Sequence, residues 1–351
     1  MFRSPLIRFS AVAIVAALAM AACGDDGSPA AANNSTAGTA AAGSAGAELP
    51  AAKLSLVAYS TPQEAYEKII TAFNATPAGK NITFSKSFGA SGDQSRAVAS
   101  GLDADYVAFS LEPDVTRLVK ANLVAPDWNK DANAGNVTDS VVVLVVRKGN
   151  PKNIKGWADL TKPGIEVITP NPFTSGGARW NVMAAYGQVI KGGGTEADGV
   201  AYLKSLFANV PVQDDSARNA LATFSGGKGD VLLSYENEAI LAQAKGEDVD
   251  YVVPDQTIKI ETVAAVTKSA PPAAQKWLDW LYTPEAQKIF ADNGYRPVVS
   301  GVTGKYDFPT PPQEFTIDDL GGWSKVKDQF FDDQKGIMAK VEQSIGVSTT
   351  G

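Results

Sequence analysis

Short apolar runs alternate with amphipathic segments along most of this chain. The runs are typical of buried strands, and the segments between them repeat apolar residues at helical spacing. The predicted strands are residues 53–59, 82–88, 106–109, 140–147, 165–169, 210–212, 231–234 and 251–253. Strands that alternate with helices indicate an α/β architecture with mostly parallel sheets.

The segments between and after the strands are predicted to be helices. They are residues 61–74, 91–102, a short helix from 113, helices from 176, 217 and 236, and residues 196–207, 273–282, 284–292 and 324–345 with an interruption near Gly336. Thr61-Pro62-Gln63-Glu64 has the pattern of a capping box with proline at the first helical position. No strand is predicted after residue 253.

Five strand-to-helix junctions consist mostly of small or hydroxyl residues. They are Tyr59-Ser60-Thr61, Gly89-Ala90-Ser91-Gly92, Ser175-Gly176-Gly177, Ser216-Ala217-Arg218 and Ser234-Tyr235-Glu236. In open α/β sheets, ligands bind beyond the carboxyl ends of strands, where helices begin. A cleft between two lobes would bring these junctions together.

The run Thr174-Ser175-Gly176-Gly177-Ala178-Arg179-Trp180 opens one of these helices. Ser175 is suited to cap the helix, whereas two glycines in its first turn lower helix stability. Their amides are not screened by side chains and lie at the positive end of the helix dipole, so the run is typical of an anion site. The alternative is an ordinary N-cap whose glycines allow close packing of helix and sheet.

The N-terminal segment predicts export. Residues 1–22 have a positive start, an apolar run and small residues at the end, which is the pattern of a cleaved signal peptide. Cys23 follows Met20-Ala21-Ala22 as in a bacterial lipobox, so we expect it to be lipidated, with a chance cysteine as the alternative. The segment up to residue 52 is rich in Ala, Gly and Ser and forms a flexible tether in this interpretation.

Composition narrows the possible chemistry. The chain of 351 residues has no histidine and one cysteine, which excludes a Ser-His-Asp triad, a Cys-His pair, a histidine-based zinc site and an intrachain disulfide. Its net charge of −7 argues against nucleic acid as a partner. About 300 residues beyond the tether exceed one typical core, so two lobes are expected. We predict no catalytic residue, metal or cofactor.

The motifs resemble those of bacterial sulfate- and thiosulfate-binding proteins, the solute receptors of ABC importers. The matching runs include Ser91-Gly92-Asp93-Gln94, Val146-Arg147-Lys148-Gly149-Asn150-Pro151, Val167-Ile168-Thr169-Pro170-Asn171-Pro172 with Ser175-Gly176-Gly177-Ala178-Arg179-Trp180-Asn181, Glu236-Asn237-Glu238-Ala239, Tyr295-Arg296-Pro297 and Gly321-Gly322-Trp323. The resemblance covers about residues 53–331.

The resemblance implies a two-lobed, type II periplasmic-binding-protein fold, each lobe a mostly parallel sheet flanked by helices. Lobe 1 would comprise residues 53–141 and 258–351 with the C-terminal helices, and lobe 2 residues 142–257. The implied partners are sulfate or thiosulfate and an inner-membrane ABC permease. The implied protein is a monomer in the cell envelope, lipid-anchored on the outer face of the cytoplasmic membrane or periplasmic, and touches the membrane only through its anchor.

The resemblance also implies which groups hold the anion. The implied ligand-binding groups are the backbone amides of Ser60, Ser91, Gly176, Gly177 and Ala217, the hydroxyl of Ser175 and the side chain of Tyr235. Arg179 and Arg218 are interpreted as bracing the surrounding loops through carbonyls and carboxylates, with direct contact to the anion as the alternative.

This chain departs from the family pattern at three positions. Ser60 stands where the family has aspartate, Asp93 where it has lysine, and Tyr235 where it has tryptophan. Sulfate needs only hydrogen-bond donors, whereas monohydrogen phosphate also needs an acceptor for its P–OH, so a donor-only pocket rejects phosphate. A phenol both donates and accepts, so Tyr235 weakens that exclusion.

Two other functions are alternatives. One is a receptor of the same fold for another tetrahedral oxyanion, such as phosphate or molybdate. The other is a lipid-anchored hydrolase of sulfate or phosphate esters, which would need Ser, Tyr or Lys with carboxylates in place of the missing histidine.

Overall fold

The computed structural model describes residues 48–347 and residue 349. The predicted signal peptide of residues 1–22, the predicted lipidation site Cys23 and most of the tether of residues 23–52 lie outside the described residues. Across the described part of the chain, every helix is too short or too polar to cross a membrane.

Strands and helices alternate along the described residues. The strands are β1 (Ala52–Tyr59), β2 (Ile82–Gly89), β3 (Tyr106–Phe109), β4 (Asn136–Arg147), β5 (Val167–Ile168), β6 (Val231–Tyr235), β7 (Val249–Val252), β8 (Gln256–Val266) and β9 (Gln313–Phe315). The helices are α1 (Gln63–Asn74), α2 (Ser91–Ala99), α3 (Glu112–Lys120), α4 (Gly176–Lys191), α5 (Glu196–Phe207), α6 (Ala217–Ser225), α7 (Glu236–Ala244), α8 (Pro272–Leu281), α9 (Pro284–Asp292), α10 (Gly322–Phe331) and α11 (Ile337–Ser344).

The first group of strands has the order β2-β1-β3-β8. β1 pairs in parallel with both β2 and β3, as the alternation of strands and helices predicts. Successive residues of a strand point to opposite faces, so Leu56 packs on one side and Val57 on the other. The Leu56 face is covered by α1, α8 and α9. The Val57 face is covered by α2 and α3.

The second group of strands is built on the C-terminal half of β4. This half pairs antiparallel with β6 and β7, and β5 pairs in parallel with β6. Helices α4 and α5 cover one face, and α6 and α7 cover the other. Because helices cover both faces, residues 141–146 are all at most 1% exposed, which accounts for their continuous apolar run.

The strands β4 and β8 connect the two groups. β4 pairs with β8 up to Val141 and with β6 from Val142 onward. Every antiparallel ladder between the described strands involves β4 or β8. The sheets are therefore parallel where strands and helices alternate and antiparallel at the connecting strands, which gives a two-lobed α/β fold.

Several local features differ from the sequence-based predictions. The long central strand β8 and the short strand β9 are not predicted, and residues 210–212 form only a single bridge, between Val212 and Ile168. The predicted capping box at the start of α1 does not form, because Pro62 is the N-cap and receives no side-chain bond. The carboxylate of Glu64 binds Arg218 and Lys245 instead.

The C-terminal helices α10 and α11 pack with the second group of strands. Trp323 lies edge-on to Trp180 of α4 with ring centroids 4.8 Å apart, and Phe330 contacts Tyr186 at 4.7 Å. Met338 and Val341 of α11 are fully buried in the same cluster. The resemblance places these helices with the first lobe, whereas their buried apolar residues pack in one cluster with those of α4 and α5.

A buried carboxyl group fixes α11 to the loop that precedes α6. Gln213 Nε2 donates to Glu342 Oε2 at 2.7 Å. Glu342 Oε1 and Gln213 Oε1 are both buried without a partner among the described residues. Burial raises the pKa of Glu342 to about 7, against the lowering effect of the Gln213 bond. The folded state therefore holds a proton that the unfolded chain releases near pH 4.5.

We expect Glu342→Gln to stabilise the protein at pH 8 by about 1–3 kcal/mol, because the wild-type carboxyl must there be ionised while buried. The wild-type stability that depends on the raised pKa of Glu342 is fully present below pH 4.5 and is lost as the pH rises through about 7. The stability gained in Glu342→Gln should therefore nearly vanish at pH 5. Urea denaturation at pH 8 and pH 5 measures this gain. The exposed Glu285→Gln is the control, and an equal gain at both pH values would contradict the assignment.

Candidate functional site

Residues from all five predicted strand-to-helix junctions line one small, partly open cavity between the two groups of strands. The cavity is small, with room for about one water molecule, so it suits only a small, compact ligand. Its lining residues are Tyr59, Ser60, Thr61, Gly89, Ala90, Ser91, Ser110, Ser175, Gly176, Gly177, Ser216, Ala217 and Tyr235. The structure thus brings together all seven residues that the sequence singled out as ligand-binding.

The start of α4 forms one wall of the cavity. Gly176 and Gly177 occupy the first two helical positions, where amides have no partner within the helix. A side chain would not fit at Gly176, since a Cβ atom there would lie 2.7 Å from Cβ and Oγ of Ser110. Ser175 caps the helix by accepting a bond from Ala178 N at 3.3 Å, which leaves its hydroxyl proton free to donate.

Two further helices begin at the same cavity. Ser91 is the first residue of α2 and Ala217 the first of α6. Ser91 Oγ is engaged elsewhere, since it donates to Asp114 Oδ2 at 2.7 Å and accepts from Ser110 N at 3.1 Å. Its backbone amide, rather than its hydroxyl, is therefore the group available to a ligand. The N-termini of three helices therefore border one cavity, which favours an anion there.

The side chain of Tyr235 closes the cavity next to Ser110. The two hydroxyl oxygens lie 2.6 Å apart, and either can be the donor. Burial raises the pKa of Tyr235 well above its usual value, so the phenol keeps its proton. Ser110 was not singled out from the sequence. Its position could have identified it, because Ser110 directly follows β3 and lies two residues before the start of α3. It thus belongs to a sixth strand-to-helix junction of the same kind.

Neither candidate arginine belongs to the described lining of this cavity. Arg179 is 8% exposed, donates from Nε to Pro172 O at 2.8 Å and lies over the ring of Phe331. It borders a separate, open cavity of about 450 Å³ together with Arg96 and Arg117. Arg179 thus supports the loop that leads into α4 and does not face the small cavity.

Arg218 holds α6 against α1. Its guanidinium donates twice to the carboxylate of Glu64, at 2.6 and 2.9 Å, and once to Thr61 O at 2.8 Å. A further bond of 3.0 Å reaches Glu238 Oε1. Because Thr61 lines the cavity, this network sets the position of one junction relative to another.

The two carboxylates around Arg218 have opposite pKa shifts. Burial opposes ionisation of Glu64, but the bonds from Arg218 and Lys245 outweigh it and lower its pKa to about 2. Burial dominates at Glu238, whose side chain is 0% exposed, and raises its pKa to about 7 despite Arg218. Glu236 is equally buried and is held by Arg296 through bonds of 2.7 and 3.1 Å.

The other departures from the family pattern lie in different surroundings. Ser60 lines the cavity, whereas Asp93 does not. Asp93 pairs with Arg96 on the exposed side of α2, so much of its charge is compensated. Within the described residues there is no group of three or more side chains suited to hold a metal ion.

The comparisons with known proteins agree with this geometry. The family model described as bacterial extracellular solute-binding protein matches residues 54–296. A sulfate-binding protein of Synechococcus elongatus is 41% identical over 98% of this chain and 97% of its own length. A thiosulfate-binding protein of Pseudomonas aeruginosa is 34% identical over 85% of this chain and 93% of its own length.

A solved structure shows the same fold. The sulfate-binding protein SubI from Mycobacterium tuberculosis superposes with a TM-score of 0.77 and 46% identity, covering 80% of this chain and 99% of that structure. The mixed sheets, the connecting strands and the flanking helices are thus those of a type II periplasmic-binding-protein fold. This chain belongs to the bacterial extracellular solute-binding protein family.

Proposed function

We propose that this protein binds sulfate or thiosulfate outside the cytoplasmic membrane and delivers it to an ABC permease. The observation that carries the proposal is the convergence of three helix N-termini on one small cavity that has no cationic side chain among its described lining residues. The sulfate- and thiosulfate-binding relatives support the choice of ligand.

The proposed binding groups are uncharged donors. They are the amides of Ser60, Ser91, Gly176, Gly177 and Ala217, the hydroxyl of Ser175 and the phenol of Tyr235. Each hydrogen bond to a charged group contributes roughly 1.5–3 kcal/mol, so several together offset the desolvation of a dianion when the cavity excludes water. The helix dipoles act in the same direction, against the net charge of −7 of the whole chain.

Two lobes that close on the ligand would complete the site. We propose that the chain passes between lobes near residues 141 and 257, which is supported by the change of β4 partners after Val141. The packing of α10 and α11 supports placing them with residues 142–257. Binding then stabilises the closed arrangement by mass action.

We further propose that residues 1–22 are removed on export and that Cys23 is lipidated, so that a tether holds the protein at the membrane. The protein acts as a monomer and as a receptor, not as an enzyme. The names of the relatives, which are those of binding proteins, support this role. Turnover of an aryl sulfate ester that is lost in Ser175→Ala would favour the hydrolase alternative instead.

Isothermal titration calorimetry of the protein without its signal peptide tests the proposed ligand. The anions compared are sulfate, thiosulfate, molybdate, tungstate and phosphate. We expect sulfate or thiosulfate to bind with a stoichiometry of one and tighter than the other anions, because most of the proposed binding groups are donors. Chloride at equal ionic strength is the control for general salt effects. Molybdate or phosphate binding far tighter than sulfate would reject the proposed ligand and favour another oxyanion.

A further inference from the structure

The hydroxyl groups of Ser110 and Tyr235 form a buried pair at the wall of the cavity. Their oxygens lie 2.6 Å apart, and the two residues are 0% and 1% exposed. Two hydroxyls carry two protons, and one of these is used in the bond between them. One proton is therefore always left for a ligand, whichever hydroxyl donates to the other.

The direction of this bond decides which groups face the ligand. When Ser110 donates to Tyr235, the phenol proton can point to a ligand oxygen. When Tyr235 donates to Ser110, the serine proton is free for a ligand oxygen and the phenol oxygen can accept a proton from the ligand. An isolated phenol that accepts a hydrogen bond from the ligand has no partner for its own proton, whereas Tyr235 donates its proton in a hydrogen bond to Ser110.

The backbone around Ser110 is fixed, so the pair can reverse without moving the chain. Ser110 N donates to Ser91 Oγ at 3.1 Å, and Trp180 Nε1 donates to Ser110 O at 2.8 Å. The neighbouring Gly176 leaves room for the serine side chain, since a Cβ there would collide with it. Rotation of two hydroxyl protons is then the only change required.

We propose that the Ser110–Tyr235 pair lets this site accept singly protonated tetrahedral oxyanions, such as monohydrogen phosphate and monohydrogen arsenate, in addition to fully deprotonated ones. This inference rests on the proposed function, because it concerns the same cavity. A donor-only side chain at position 235 would leave the ligand hydroxyl unpaired, and the pair removes that penalty. Ser110 and Tyr235 are thus the residues that set selectivity.

The test compares two pairs of anions in calorimetry at a pH where phosphate and arsenate are monohydrogen dianions. Sulfate and selenate carry no proton, while phosphate and arsenate carry one. The two anions of a pair differ in size but not in protonation, so a comparison between the pairs separates the effect of protonation from that of size. We expect wild type to bind all four anions, with selenate, phosphate and arsenate each competing with sulfate. Tyr235→Trp, a donor-only side chain, should raise the dissociation constants for phosphate and arsenate by about 5–150-fold more than those for sulfate and selenate.

Ser110→Ala is a second variant, which keeps the tyrosine at position 235. It removes the acceptor of the phenol proton, so it should also weaken phosphate and arsenate more than sulfate and selenate. Tyr106→Phe is the matched control, because it breaks a buried hydroxyl pair with Tyr66 of 2.7 Å outside the cavity and should affect all four anions equally.

The outcomes separate this inference from the proposed function. Absence of sulfate and thiosulfate binding by wild type would reject the proposed function and with it the inference. Sulfate binding without phosphate or arsenate binding would overturn the inference alone. Equal losses for protonated and deprotonated anions in both Tyr235→Trp and Ser110→Ala would overturn it as well.

Discussion

Gly176→Asp is expected to abolish sulfate binding. The new Cβ would lie 2.7 Å from Cβ and Oγ of Ser110 and 3.1 Å from Cβ of Ser91, so the start of α4 would have to move. The carboxylate would also place a negative charge where the anion is proposed to bind. An uncompensated buried charge costs about 3–5 kcal/mol, which predicts a loss of affinity of roughly 10²–10³-fold or more.

Calorimetry with sulfate measures this loss, and a thermal melt shows whether the variant still folds. Gly156→Asp is the matched control, because a Cβ there meets nothing within 4 Å and the residue does not line the cavity. Gly177→Ala gives an intermediate case, since its Cβ would lie 3.2 Å from Ala217 Cβ. Unchanged affinity in a folded Gly176→Asp variant would refute binding at this helix end.

Arg218→Met is expected to destabilise the protein by about 1–2 kcal/mol more at pH 8 than at pH 5, because Glu238 loses the guanidinium that favours its ionised form inside the protein. Glu64 keeps its bond from Lys245 and is less affected. The pKa of Glu238 is already raised to about 7 by burial, and loss of the guanidinium raises it further. The loss of stability caused by Glu238 arises only above the wild-type pKa of about 7, so it should shrink as the pH falls to 5.

Urea denaturation at pH 8 and pH 5 tests this expectation. The double variant Arg218→Met/Glu238→Gln should recover much of the lost stability at pH 8, because it removes the carboxylate together with its cation. Lys288→Met, which breaks an exposed pair with Asp292, should show no measurable change. An equal loss at both pH values without rescue would mean that the contacts to Glu64 and Thr61, rather than Glu238, account for the effect.

Local patterns predicted much of the fold. The helix predicted over residues 196–207 has the bounds of α5 (Glu196–Phe207), and the continuous apolar run of β4 indicated a strand covered on both faces. The strand β8 was missed, although Ile258, Ile260 and Thr262 alternate with exposed or half-buried residues. Its neighbours β3 and β4 lie more than a hundred residues earlier in the chain, and only that pairing makes it a central strand.

The part of the candidate site that consists of backbone amides was predictable from the sequence. Gly176 and Gly177 could be identified because they lower helix stability and because free amides follow from the geometry of any helix start. The side-chain partners were not predictable. Arg218 binds a carboxylate 154 residues away, and Ser110 meets Tyr235 across 125 residues, so neither pair leaves a local pattern.

The donors proposed for the ligand are largely peptide amides, which neither gain nor lose protons in the range where proteins stay folded. A ligand held in this way meets the same partners in acidic and in alkaline surroundings. Capture of nutrient should therefore follow its supply in the environment, while external acidity acts mainly through the protonation of the nutrient itself.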